Sequence, residues 1–456
     1  MPSVNPWARP LTAFVAAAAL ALGVAGCGTD ADTGDAKSPS TATTAAPQAR
    51  GSLSVVQDGL DDERTEALNA AATAAFGEVS APGAVMALRT PAGTWVSTIG
   101  SQDLAKTTPM AADVHQRIGS VTKTFTITAL MQLAQQAELS LEDPIDKYVP
   151  GMPNGNATLY DLGAMRSGIP SYTFDPGFQE KLFGDPNYVW RPQALVDLVK
   201  GQPPMFAPGT KTFYSNTNTV LLGMVIEQVA GKPLHQVMKE QVIDPIGLDH
   251  TAFPTDASFP DPHARGYTTQ GTDDDLPVDA TDWNPSWGWS AGAMTSDLDD
   301  LLVWGKALVT GEGLLDAEWQ ERRLNSFDFS IPAVVGKDTE IPSTPERAYG
   351  LGLGLALGWY GHTGELPGYN TVVQHHPTTD TTLVVMTNSD IKSGECPPGS
   401  PITPGGRTTG PCEDPAVHIA NQLARAIGLP LTPPTDGGAP GTTATTTPTT
   451  TPTTSG

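Results

Sequence analysis

The chain has 456 residues, 39% of them hydrophobic, enough for a sizeable core in one large domain. Its formal charge of −24 repels phosphate backbones and anionic headgroups. That excludes nucleic acid as a partner and a basic patch as a means of holding a membrane.

At the N-terminus Arg9 is the only charge before position 27, and an apolar run from Leu11 to Val24 follows it. This pattern predicts a secretory signal over 1–26, too short to span a bilayer. The string Val24-Ala25-Gly26-Cys27 resembles a bacterial lipobox. It implies lipidation of Cys27 and a tether to the outer face of the cytoplasmic membrane. Residues 27–58, rich in Thr, Ala, Ser, Gly and Asp, predict a flexible spacer.

The domain is expected over 59–430. Asp61 to Phe76 predicts a helix. Val85 to Leu88 and Trp95 to Ile99 predict a hairpin about Pro91-Ala92-Gly93. Thr122 to Glu138 is helical in pattern, with Leu130, Leu133, Ala134 and Ala137 on one face. Roughly 140–345 mixes helices with Pro- and Gly-rich loops; Val220–Val229 and Leu298–Leu308 are its clearest helices. Strands are expected at Gly350–Tyr360, Thr371–His375 and Leu383–Thr387, and a closing helix at Ala416–Ile427. Strands at both ends with helices between predict an α+β fold. One antiparallel sheet is built from both chain ends and flanked by helices, with a mostly helical insert beside it. Residues 431–456 form a Thr/Pro-rich tail whose composition builds no core. Cys396 and Cys412, in an oxidising compartment, are expected to form a structural disulfide.

Three short motifs carry chemistry. In Gly119-Ser120-Val121-Thr122-Lys123, residues three apart on a helix share a face, so the Lys123 amine lies near the Ser120 hydroxyl. A serine needs a base to become a nucleophile, and a desolvated lysine can serve as one. The helix start adds N–H groups where an oxyanion forms. Tyr214-Ser215-Asn216 lies between a turn and a helix and could project from a loop. Its phenol could relay protons and its amide could hold a substrate carbonyl; a capped turn is the plainer reading. His362-Thr363-Gly364 is expected at the end of a Gly-rich strand. There Gly364 would let a substrate backbone approach, Thr363 would supply a hydroxyl, and His362 a positive or hydrogen-bonding group.

Other matches compete. Ser389-Asp390-Ile391-Lys392 repeats the Ser-x-x-Lys spacing but runs into Gly394, Pro397 and Pro398, where no helix can continue. Gly288-Trp289-Ser290-Ala291-Gly292 fits a Gly-x-Ser-x-Gly elbow, yet no buried apolar strand precedes it. His375 and His376 are adjacent on a strand and point to opposite faces. No metal site and no cofactor is expected.

The three motifs, in this order, resemble the serine β-lactamase and penicillin-binding family. They are most similar to class C β-lactamases and secreted D-alanyl-D-alanine carboxypeptidases, over roughly residues 75–428. Met165-Arg166-Ser167-Gly168-Ile169 and Ser290-Ala291-Gly292-Ala293-Met294 support the likeness. The resemblance implies Ser120 as nucleophile, Lys123 as its activating partner, Tyr214 as proton shuttle and Asn216 as a ligand of the substrate amide. It implies that Thr363 contacts a substrate carboxylate, and that the Ser120 and Glu365 N–H groups form the oxyanion hole. Trp287 and Trp289 would wall the pocket or simply pack the core. His362 stands where the β-lactamases have lysine. This favours a carboxypeptidase, D-amino-acid peptidase or esterase over a β-lactamase, with activity that follows the histidine's ionisation. The implied partner is a peptide, β-lactam or ester; a non-catalytic penicillin or cell-wall sensor is the alternative of another class. For a terminal carboxylate Arg347 is only a guess, a surface arginine being the plainer reading.

Overall fold

The computed structural model describes residues 54–272, 276–334, 341–396 and 406–433. The signal segment, Cys27, the spacer up to residue 53 and the tail from 434 lie outside the described residues. Eight strands form the main sheet: β1 Ser54–Asp58, β2 Gly83–Thr90, β3 Gly93–Gly100, β4 Arg347–Tyr349, β5 Gly354–Ala356, β6 Trp359–Leu366, β7 Tyr369–His376 and β8 Thr381–Thr387. Their order is β1-β3-β2-β8-β7-β6-β5-β4, and every pairing is antiparallel. The two chain ends meet where β8 pairs with β2, Leu383 opposite Leu88. The α+β expectation holds.

The helices that matter here are α1 Asp62–Gly77, α2 Thr122–Gln135, α3 Asn216–Ala230, α4 Leu298–Thr310 and α5 Pro415–Ala426. Side chains alternate across a strand, so the central strands serve two cores. Val85 and Ala87 join α2, α3 and α4 on one face, while Ala84, Met86 and Leu88 join α1 and α5 on the other. Burial on both faces explains why these strands read as continuous apolar runs. Each fully buried Leu or Phe adds about 1.5–3 kcal/mol of hydrophobic stabilisation.

Three expectations shift. Ser54–Asp58, the end of the supposed spacer, pairs with β3 as an edge strand. The strand expected over 350–360 is interrupted, because Leu357 and Gly358 adopt positive φ in a turn between β5 and β6. Helix α2 carries no single apolar face: every residue from Thr122 to Ala134 is buried. Its threonines find partners: the Thr124 and Thr128 hydroxyls donate to the Val121 and Thr124 carbonyls, Thr126 donates to the Ser290 carbonyl, and Thr122 accepts from the Met294 N–H. Trp304 of α4 stacks on Phe125 at 3.6 Å between centroids and donates its indole N–H to Thr124. Cys396 and Cys412 are disulfide-bonded. No helix among the described residues is long and apolar enough to cross a membrane.

Candidate active site

Ser120 sits in a 3-10 turn, Gly119–Val121, that runs directly into α2. Residues i and i+3 eclipse in such a turn, and Lys123 Nζ lies 2.9 Å from Ser120 Oγ. The turn is held against β6 by close backbone contact. Gly119 has φ +51, and a Cβ there would overlap the Glu365 nitrogen. A Cβ on Gly364 would overlap the Ile118 carbonyl oxygen and stand 3.2 Å from the Ser120 nitrogen. The glycine of the third motif therefore admits the protein's own backbone, not a substrate's.

Lys123 is fully buried. It donates a 2.7 Å hydrogen bond to the Ala291 carbonyl, and its amine lies 4.9 Å from the centre of the Tyr214 ring. Burial holds its pKa well below the usual lysine value, which favours the neutral amine that a base requires. Tyr214 precedes α3 and is buried. Burial raises its pKa while the Ser120 hydroxyl works against the rise, so the phenol keeps its proton at neutral pH. Asn216 is the first residue of α3, not a loop residue. Its backbone N–H donates to Ser171 Oγ and its side-chain amide to Thr173 Oγ1.

His362 lies inside β6, fourth of eight residues, not at its end. Its ring is 6.2 Å from that of Tyr214. Nδ1 bonds to the Thr363 carbonyl, and Nε2 lies 3.0 Å from the Tyr349 hydroxyl. Burial, and after it the field of Lys123 whenever that amine is protonated, push its pKa down to about 3. Of the two roles expected for His362, positive or hydrogen-bonding, its contacts and its lowered pKa favour the hydrogen-bonding one, and they argue against a titration near the ordinary histidine value.

Other expectations are corrected by the alternation of β6. Thr363 faces the α5 side of the sheet, where it shares a pocket with Arg347, Lys392, Asp414 and Asn421. It cannot meet a substrate beside His362 from there, and the guess at Arg347 fails for the same reason. The Glu365 side chain also points away from the nucleophile, lying 3.9 Å from Lys392 and accepting from Gln270 at 3.2 Å. Only its backbone adjoins Ser120. Trp287 lies near Phe178 and belongs to the core, while Trp289 packs its ring against α3 at Gly223 and stays half-buried at the edge of that core.

The competing motifs take structural roles. Ser290 is fully buried and donates to the Thr219 carbonyl at 2.9 Å, while its neighbour Ala291 anchors Lys123. Ser389 Oγ accepts from the Ile391 N–H, and Lys392 lies 3.6 Å from Asp414. His375 is buried against Thr382, and His376 is partly exposed. Among the described residues one group, His250, Asp297 and Asp300, has metal-ligand chemistry within 4.8 Å. Its atoms are already engaged: Asp297 caps α4 and bonds His250, and Asp300 accepts from the His250 N–H and Thr251. Tyr349 and the Ala291 carbonyl were not found by sequence reasoning. No local motif marks them, since only the β4–β5–β6 meander and the turn at 289–292 bring them to the site.

The beta-lactamase family model matches residues 62–395. A D-stereospecific amidohydrolase from Streptomyces sp. is 32% identical, covering 72% of this chain and 94% of that one, with a TM-score of 0.63. The D-amino acid amidase of Ochrobactrum anthropi is 25% identical over 72% of this chain and 92% of its own, TM-score 0.60. The unguisins hydrolase ungD of Aspergillus violaceofuscus is 25% identical over 68% of this chain, which spans 59% of that relative's length.

Proposed function

Given that the chain belongs to the beta-lactamase family of serine hydrolases, we propose that it hydrolyses small amides of D-configured amino acids through an acyl-enzyme on Ser120. The observation that carries the reading is a buried amine 2.9 Å from the Ser120 hydroxyl, depressed in pKa by that burial. The similarity to a D-stereospecific amidohydrolase at 32% identity supports the substrate class. A D-alanyl-D-alanine carboxypeptidase is the second reading; it differs in requiring a free carboxylate on the substrate.

The neutral Lys123 amine takes the Ser120 proton as Oγ attacks the substrate carbonyl. The Ser120 and Glu365 N–H groups receive the oxyanion. Protonated Tyr214 gives its proton to the departing nitrogen, and Lys123 reprotonates the phenol. The C–N bond breaks and an ester on Ser120 remains. Water then attacks that ester, its proton passing to the same base, and the free acid leaves with Ser120 restored. Asn216 holds the substrate amide in register.

Intact-mass measurement after mixing with a D-amino-acid amide, a penicillin or a p-nitrophenyl ester tests this. The wild type should hydrolyse the D-amide and gain a transient acyl mass from the ester. Ser120→Ala should lose the adduct and about 10⁴-fold in kcat/KM. Stable penicillin labelling without any turnover would instead make it a sensor. Export and lipidation at Cys27 are part of the same proposal. The membrane fraction should lose the protein in a Cys27→Ala variant.

A further inference from the structure

The polar side chains that contacts tie to Ser120, directly or through one another, among the described residues, are Lys123, Tyr214, His362 and Tyr349. The one amine among them, Lys123, is buried and engaged by Ser120 and Ala291, and burial favours its neutral form. Tyr349 ends β4, and its ring meets Tyr214 edge-on at 5.9 Å and His362 edge-on at 5.6 Å. Its hydroxyl is thus one residue removed from the catalytic phenol.

The direction of its hydrogen bond follows from elimination. The Thr363 carbonyl can only accept, so His362 Nδ1 carries the proton and donates to it. A neutral imidazole then leaves Nε2 as a bare acceptor, and the Tyr349 O–H donates to it across 3.0 Å. The hydroxyl proton is committed, and what the oxygen has left to offer a ligand is its lone pairs. Such an oxygen accepts from an N–H. It repels a carboxylate, which brings only lone pairs of its own and needs a cation or donors to leave water.

We propose that the Tyr349–His362 pair is the specificity device of this site: it selects substrates whose leaving side carries an uncharged N–H donor, either the amide nitrogen itself or a carboxamide beyond it, and rejects those ending in a free carboxylate. The proposal rests on the Ser120 acyl-hydrolase reading and narrows it. Tyr349 acts here as a substrate-contacting residue, and His362 positions it.

The test follows cleavage of one bond, the D-alanyl peptide bond, on the full chain, by release of D-alanine from D-alanyl-D-alanine and of D-alaninamide from its C-terminal amide, with ammonia release from the terminal carboxamide counted separately. Wild type should prefer the amide by about tenfold or more in kcat/KM. Tyr349→Phe should lower kcat/KM for the amide more than that for the acid, so that the preference for the amide shrinks. Tyr349→Arg, which places a cation there, should narrow or invert the preference. A fluorophosphonate that labels Ser120 in all three proteins checks that the nucleophile and fold persist. Equal rates for acid and amide in wild type, or an unchanged ratio in Tyr349→Arg with labelling intact, would overturn the role of Tyr349 and leave the Ser120 reading standing. Absence of both labelling and turnover in wild type would remove the two together.

Discussion

Burial decides which way the protons sit at the residue scale. Lys123 and His362 are both cations in water at mildly acid pH, and both are held where charge is costly. For Lys123 this favours the free base, so activity should rise with pH as the amine loses its proton. For His362, pushed down to about 3, no ionisation falls between pH 5 and 8. A profile of kcat/KM over that range should therefore keep its shape in His362→Gln, although its height falls. An inflection near pH 6.5 that disappears in the variant would show that the imidazole titrates in the working enzyme. Lys123→Met should lose about 10³-fold and remove the rising limb.

Elements place these residues by contacts that no motif records. The Gly-x-Ser-x-Gly string folds into a short helix, Trp289–Gly292. Its serine is tied to α3 through the Thr219 carbonyl, and its Ala291 carbonyl holds Lys123. The segment thus supports the nucleophile without being one. Ser290→Ala should cost about 1 kcal/mol of stability, measured by urea unfolding, with kcat retained within severalfold. Abolished turnover in a folded Ser290→Ala protein would reopen the elbow. The strand β6 works in a similar way. Gly364 lets it lie against the nucleophile turn, and the pleat sends His362 to the site while Thr363 and Glu365 go to the opposite face.

Across the whole molecule, that opposite face holds a second buried charge cluster. Glu365, Asp390 and Asp414 surround Lys392, and burial raises all three carboxyl pKa values, that of Asp390 to about 7. A carboxyl whose folded pKa is raised stabilises the fold below its unfolded value near 3.8 and loses that contribution as pH rises through 7. His362 has the opposite sign. Its neutral burial stabilises above the unfolded histidine range, and the contribution fades as pH falls towards 3. Asp390→Asn removes one alkaline loss. Its unfolding free energy relative to wild type should improve by about 2 kcal/mol between pH 5 and pH 8. The same difference at both pH values would mean that Asp390 is already ionised in the fold.

Read alone, the sequence determined the α+β class, the sheet drawn from both chain ends, the disulfide partners and the motifs that carry Ser120, Lys123, Tyr214 and His362. These are legible because apolar periodicity and residue spacing are local, and a serine and lysine three apart eclipse wherever that turn forms. Only the tertiary structure decided that β6 presents His362 and withdraws Thr363, and that the histidine is neutral. It also decided that Tyr349 completes the site from 13 residues away in sequence. Side-chain direction depends on strand register and proton affinity on burial, and both are set by segments distant in the chain, so neither can be read from the residues beside them.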